Sequence, residues 1–373
     1  MKKRLLITAR DAAAALHLIE VAKVARARDD LVLEIVTQFP AAKFFQSADI
    51  PVTTIDLPAG KHADTEEAKA LLAEADRLLS KFQPDSILCG LSTPFDAGID
   101  EAILASFKGP SFVMQDFWGE ANLILGRPAD IYLSLDEEGV RLSRERHGLE
   151  AEIVGSPRHS AYRKLDLQRE RIFTRARLGA DDGQTVIGFF GQGLHHLDGY
   201  RRTVREWASA VNQFGSSCIP VYRPHPRESD DDCQWTCNTL REMGLDARMS
   251  EEKDVEHALL GCDVVCSAFS NCTYDVAYLN YFSGQPLITP LSLFFDEEII
   301  AYFRKMVRLS EFPYLKAGLV EEVKKVGDLA ESLRSAAQPQ TKLRYWQAAQ
   351  RLHSPIAAPG KVLERVLQGH TSC

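Results

Sequence analysis

Hydrophobic positions along this chain fall into short runs separated by longer amphipathic stretches, and the two kinds alternate almost throughout. Arg4–Thr8, Leu31–Val36, Val52–Leu57, Asp85–Cys89, Ser111–Met114, Ile131–Leu133 and Glu152–Val154 read as strands, being brief and mostly apolar. Between them, Ala12–Arg26 sets Ala15, Leu18, Ala22 and Ala25 at helical spacing. Thr65–Leu79 is a polar-and-leucine helix, and Glu138–Arg146 is a helix stopped by Gly148. Apolar strands alternating with amphipathic helices predict a parallel sheet covered on both faces, because parallel strands need long crossover connections.

The alternation breaks at His159–Gly183. Arg163, Lys164, Asp166, Arg169, Glu170 and Arg171 make that stretch strongly polar, and Asp181-Asp182-Gly183 closes it. It predicts a linker with a short surface helix. The pattern then restarts. Thr185–Phe190, Cys218–Tyr222, Cys262–Cys266 and Pro286–Ile288 are strand-like, with a turn at Pro290. Gly199–Asn212, Asp231–Met243, Asp254–Leu260 and Asn271–Leu279 are helix-like. Thr341–Leu352 and Lys361–Leu367 are helical pieces broken by Pro355 and Pro359. No tandem repeat of 20–50 residues is present. The expected class is α/β, with two Rossmann-like, doubly wound domains facing a cleft. The expected boundaries are residues 1–165, a linker at 166–183, a second domain at 184–345, and a helical segment at 346–373 crossing back to the first.

Composition sharpens this. The 373 residues suffice for two domains, and 45% hydrophobic with 26% charged residues exclude disordered, collagen-like and disulfide-scaffold chains. A formal net charge of −8 argues against a non-specific nucleic-acid binder, which needs a basic surface, while permitting a local cationic pocket. The run Leu5-Leu6-Ile7 is too short for a signal-peptide core, and no run of 18 uncharged apolar residues occurs. A cytoplasmic protein is therefore expected, with no transmembrane segment and at most peripheral membrane contact. Its eight cysteines, Cys373 among them, are expected to stay reduced. Cys233/Cys237 and Cys262/Cys266 share a four-residue spacing, but zinc needs four converging ligands, so no metal is expected.

In an open parallel sheet, ligands bind beyond the carboxyl ends of the strands, so the residues following each strand are the candidates. Gly188-Phe189-Phe190-Gly191-Gln192-Gly193 leads to His195 and His196. Gly191, Gln192 and Gly193 can bring backbone N–H groups close to a phosphate, or form a plain tight turn. Tyr222-Arg223-Pro224-His225-Pro226-Arg227 sets cations and a histidine in a proline-stiffened loop, suited to an anion or nucleotide. Ser267, Ser270 and Thr273 can cap the next helix or bind a diphosphate at its N-terminus. Arg10 and Asp11 follow the first strand, where Asp11 is either a general base or a helix cap. Asp116-Phe117-Trp118-Gly119-Glu120 follows the fifth. There Trp118 stacks on a ligand or packs, and Asp116 and Glu120 are alternative acids or bases.

Several of these segments resemble the GT-B glycosyltransferases and their relatives. Ala129-Asp130-Ile131-Tyr132-Leu133-Ser134 through Gly155-Ser156-Pro157-Arg158 looks like the end of a GT-B N-terminal domain, and Arg177-Leu178-Gly179 before Thr185–Gly191 like the start of a C-terminal one. Arg223-Pro224-His225-Pro226 resembles the basic-x-His-Pro motif of bacterial sialyltransferases, polysaccharide transferases and CDP-glycerol glycerophosphotransferases, where it lies against the donor nucleotide. Asp263 through Asp275 resembles the segment lining the same donor site, with Asp275 as its acidic residue. Asp136-Glu137-Glu138-Gly139 fits the acidic-acidic-Gly motif of the sialyltransferases, and equally an acidic helix start. The Glu-x7-Glu pattern of many retaining relatives is absent, because Ser267 precedes Asp275 by eight residues. The active-site acids of the UDP-N-acetylglucosamine 2-epimerases, which share the fold, are not recognisable.

The resemblance implies a glycosyltransferase that moves a sugar from a nucleotide-activated donor to a glycan, lipid-linked or small-molecule acceptor, in surface glycan or glycoconjugate synthesis. No cofactor is implied, the nucleotide-sugar being substrate. Gly191, Gln192, Gly193, Arg223, His225, Ser267, Ser270 and Asp275 would serve the donor, Asp11 would be the base, and Arg10, Trp118 and Glu120 would face the acceptor. The alternatives are a nucleotide-sugar 2-epimerase or hydrolase or a CDP-alditol phosphotransferase on the same fold, and a non-catalytic nucleotide- or sugar-binding protein.

Overall fold

The computed structural model describes residues 2–181 and 183–369, so Asp182 of the expected linker and Cys373 lie outside the described residues. Clustering of the chain into compact units gives one unit of Met1–Arg163 with His353–Cys373, and a second of Lys164–Leu352. Each is built on its own parallel sheet.

The first unit carries β1 (Lys3–Ala9), β2 (Leu31–Thr37), β3 (Thr53–Thr54), β4 (Ser86–Gly90), β5 (Ser111–Met114), β6 (Ile131–Ser134) and β7 (Ala151–Ile153). Their order is β3-β2-β1-β4-β5-β6-β7, every pair parallel. Leu6, Val36, Ile87, Cys89 and Val113 from four neighbouring strands share a core with Leu71, Ala75 and Leu78 of the helix Glu66–Phe82. Burial of each large side chain contributes roughly 1.5–3 kcal/mol. That helix starts where Thr65 Oγ1 accepts the Ala68 N–H and stops where Gln83 turns left-handed. The helix Ala358–Gln368 buries Val362, Leu363 and Val366, and its Arg365 pairs with Glu152 of β7.

The second unit carries β8 (Thr185–Phe190), β9 (Cys218–Arg223), β10 (Arg248–Met249), β11 (Val264–Ser267), β12 (Thr289–Leu293) and β13 (Glu321–Val323), in the order β10-β9-β8-β11-β12-β13, again all parallel. The strand order reverses between β1 and β4 in one sheet and between β8 and β11 in the other, where doubly wound sheets open a ligand crevice.

The α/β class holds, with local corrections. The third strand is two residues rather than six. The strand expected at Pro286–Ile288 sits at Thr289–Leu293, with Pro290 inside it rather than in a turn. The segment at 166–183 carries the short helix expected of it, Leu167–Arg177, whose Arg171 and Arg175 both reach Asp263 at 2.7 and 2.8 Å, joined there by Lys342 at 2.6 Å. Asp263 also accepts the Val186 N–H of β8. Its burial opposes ionisation, but the cations around it outweigh that and hold its pKa down at about 2. The helix Ala358–Gln368 carries Pro359 in its first turn instead of being broken by it, since the first turn of a helix leaves its N–H groups free in any case.

Candidate active-site loops at the two switch points

In the second unit, β8 leads into Gly191-Gln192-Gly193, β9 ends in Arg223 and β11 in Ser267, so the sheet gathers three of the sequence candidates. The Gly191 N–H donates to the Arg223 carbonyl at 2.9 Å. The Gln192 carboxamide oxygen accepts the Phe269 N–H at 2.8 Å, tying the loop after β8 to the loop after β11. Gly193 has φ +59°, a left-handed turn that suits glycine. The Nδ1 of His225 accepts the Arg227 N–H at 3.1 Å, which leaves the proton of the neutral ring on Nε2. Burial, and then the charges of Arg227 and Arg223, push this imidazole down to about 4. It is a neutral hydrogen-bond donor at physiological pH. Arg223 reaches the Lys253 carbonyl at 3.3 Å through one terminal nitrogen. Its Nε is buried with no partner among the described residues, and burial lowers the guanidinium pKa. An unsatisfied cationic donor in such a loop is the arrangement an anion would complete.

Ser267 is fully buried and its hydroxyl accepts the Ser270 N–H at 3.2 Å; the Ser270 hydroxyl accepts the Cys272 N–H at 3.3 Å. Both therefore shape the start of the helix Cys272–Phe282, and of the two only Ser270 is partly exposed. Asp275 is buried inside that helix, and its charge acts on Arg223. The two histidines part company. His195 is buried, with Nε2 2.8 Å from Thr236 Oγ1, so it packs instead of facing a ligand, whereas His196 is exposed against the Tyr302 ring.

One residue here escaped the sequence reading. Glu228 accepts the Tyr222 hydroxyl at 2.9 Å and the His225 N–H at 3.0 Å, and it also bonds the Gly193 backbone. A Cβ placed on Gly191 would lie 2.0 Å from its Oε1. The only signal in the sequence was its position three residues after His225.

In the first unit, Asp11 does not cap the helix Ala12–Arg26; its carboxylate crosses to the loop after β4 and accepts the Thr93 N–H at 2.9 Å. Arg10 is buried, bonded to Asp96 at 2.6 Å, with Asp11 at 3.4 Å from its Nε. Asn122 Nδ2 donates to the Thr93 and Asp96 carbonyls, both at 2.7 Å, which braces the same loop from the β5 side. Asp116, half-buried just beyond β5, is pushed up to about 7 by burial and then by the charge of Asp11, with Arg158 opposing. A carboxyl group with that pKa changes protonation at physiological pH and can both take and give a proton.

A second acidic pair was also missed. Asp100 and Glu101 open the buried helix Ile99–Ser106, whose all-round burial gives no amphipathic pattern to detect. Asp100 accepts the Thr8 hydroxyl at 2.5 Å and is pushed up to about 8 by burial and then by Glu101. Glu101, itself raised by burial, accepts Ser92 Oγ–H at 2.5 Å and the Gly98 N–H at 2.7 Å.

Two expected acceptor contacts are corrected. Trp118 is 1% exposed and spends its indole N–H on Asp136 at 2.7 Å, so it offers no stacking face. Glu120 is buried against Arg146 at 3.1 Å and His147 at 3.7 Å, where an ion pair offsets the cost of burial. Asp136 caps its helix through the Gly139 N–H, as an ordinary acidic helix start does. Among the described residues no group of three or more His, Cys, Asp or Glu is placed to hold a metal ion, and no helix is long and apolar enough to cross a membrane.

No known protein family's sequence profile matches the chain, and no curated protein sequence matches it. Solved structures do. A provisionally assigned UDP-N-acetylglucosamine 2-epimerase from Listeria monocytogenes superposes with a TM-score of 0.70 at 12% identity, covering 99% of this chain and 96% of its own. The UDP-GlcNAc 2-epimerase of Neisseria meningitidis, bound to UDP-GlcNAc, gives 0.67 at 13%, covering 98% and 100%. A glycosyltransferase from Rickettsia africae gives 0.66 at 8%, covering 98% of this chain and 98% of its own. Likeness at these identities shows the fold: two Rossmann-like domains of GT-B type.

Proposed function

We propose that this chain is an enzyme acting on a nucleotide-activated sugar, and that it epimerises or hydrolyses the sugar while it is nucleotide-linked. The observation that carries the reading is Asp116, whose carboxyl is poised at about 7 beyond the end of a central strand. Epimerisation needs a group that removes a proton from carbon and returns one, and hydrolysis needs one that takes a proton from water. Both are served by a pKa near the working pH. In the second unit, Arg223 with its unsatisfied Nε and the neutral Nε2–H of His225 provide donors for a nucleotide phosphate. They would offset the negative charge that develops on a departing phosphate. Two of the three structures named above are epimerases by description, which supports this reading over transfer.

Glycosyl transfer is the second reading, favoured by Asp11, which is free of the helix cap and partly exposed for an acceptor hydroxyl. Incubation with UDP-GlcNAc in D2O without an acceptor separates the two. Epimerisation places deuterium at C2 of the sugar, and hydrolysis releases UDP and free sugar. A donor left intact without acceptor and consumed only when one is added would overturn the primary reading in favour of transfer.

A further inference from the structure

Two segments expected separately to hold the nucleotide, the turn after β8 and the run from Tyr222 to Arg227, meet at one side chain that no motif marks. The turn after β8 touches Glu228 at Gly193, and would collide with it if Gly191 had a side chain. β9 touches it through the Tyr222 hydroxyl. The loop after β9 touches it twice, since the His225 N–H donates to its carboxylate and its own N–H donates to the His225 carbonyl at 2.8 Å. The side-chain contacts made by Tyr222 and His225 are hydrogen-bond donations to its oxygens, which is the work of an ionised carboxylate. Its burial disfavours the charge and, only partly opposed by these donors, raises its pKa above the ordinary glutamate value.

A half-buried carboxylate is a poor neighbour for a phosphate unless it has a separate task. Here its contacts fix two loops against each other. It sets the pitch of the Gly191–Gly193 turn, and it orients the backbone from which His225 presents its Nε2–H. It also explains the glycine at 191 as space for this carboxylate, a different requirement from close approach of a ligand. We propose that Glu228 is the positioning residue of the diphosphate subsite: it holds the turn after β8 and the His225 loop in the spacing that grips a nucleoside diphosphate, and does not itself touch the ligand. This deepens the nucleotide reading above and rests on it.

The test measures binding of UDP, CDP, GDP and ADP, and of the matching nucleosides, to the full chain by calorimetry and ligand-observed NMR. The wild type is expected to prefer a diphosphate over its nucleoside. Glu228→Ala is expected to reduce that preference about tenfold with nucleoside affinity unchanged. Glu228→Gln, which keeps a carbonyl oxygen for the His225 N–H, is expected to stay within about threefold of wild type. Gly191→Ala is expected to reproduce the Glu228→Ala loss, and the two losses together are expected to be far less than their product. A preference unchanged in Glu228→Ala overturns the proposal. So does a parallel loss of nucleoside and diphosphate binding with a lowered melting temperature, which is the mark of a merely structural role. A wild-type chain that binds none of the four diphosphates overturns the nucleotide reading itself, a result distinct from either.

Discussion

Replacing Asp116 by Asn makes the sharpest test of the proposed acid–base group, because stability and activity should move in opposite directions. In the folded chain this carboxyl is shifted from its ordinary 3.8 to about 7, mainly by burial. Between those values the unfolded chain has released its proton while the folded chain retains it, so rising pH favours unfolding. A shift of about three units corresponds to about 4 kcal/mol, and partial exposure reduces this to roughly 2–4 kcal/mol. Asn stays neutral and carries no such penalty. The variant and the wild type should therefore be alike near pH 4, diverge as pH rises towards 7, and differ by a constant amount above it. At roughly 2–4 °C per kcal/mol for a unit of this size, Asn should raise the melting temperature by about 5–10 °C at pH 8. Loss of the proton-transfer group should lower turnover of a nucleotide-sugar by about 10²–10⁴-fold. Scanning calorimetry from pH 4 to 8, with a nucleotide-release assay on the same preparations, reads both. A melting temperature unchanged or lowered at pH 8, or activity kept above a tenth of wild type, would refute the assignment.

Arg223→Ala and His225→Ala should each weaken nucleoside diphosphate binding by tenfold or more in calorimetry; unchanged affinity in both would mean that the anion donors lie elsewhere. Because His225 is neutral above about pH 4, wild-type diphosphate affinity should show no histidine-like inflection between pH 5 and 8. Asp263→Asn should cost about 3–5 kcal/mol in urea unfolding at pH 7, since it strands Arg171, Arg175 and Lys342 without a counter-charge. Asp263 is held below its ordinary pKa, so its contribution is present above about pH 4 and is lost as pH falls towards 2; the gap between variant and wild type should close over that range. Trp118→Phe should lower stability by about 1–2 kcal/mol through the lost bond to Asp136, while turnover stays within twofold, as a packing role requires.

Local pattern was enough to read the strands that carry the two sheets. β1, β5 and β8 are dense apolar runs bounded by polar residues, and burial on both faces demands that whatever the rest of the chain does. It was enough, too, to place Asp11, Arg223 and His225 at the carboxyl ends of strands, because the edge of each strand is read from its apolar run. Short edge strands such as β10 and β13 left no trace, since two or three residues carry no period. The helix Ile99–Ser106 left none because it is buried all round.

Roles were decided by the tertiary structure alone. Trp118 and Glu120 looked like ligand contacts in a loop and are spent on Asp136, Arg146 and His147, a choice made by partners 18 to 27 residues away that no local motif records. Asp116 looked like one acid among several, and its burial, followed by the charge of Asp11, raises it to about 7. Glu228 had no pattern at all. Sequence by itself fixes the period of burial, and with it the class of fold and the edge where chemistry sits. The protonation and orientation of each group depend on desolvation and on contacts between segments distant in the chain, and those exist only once the sheets have formed.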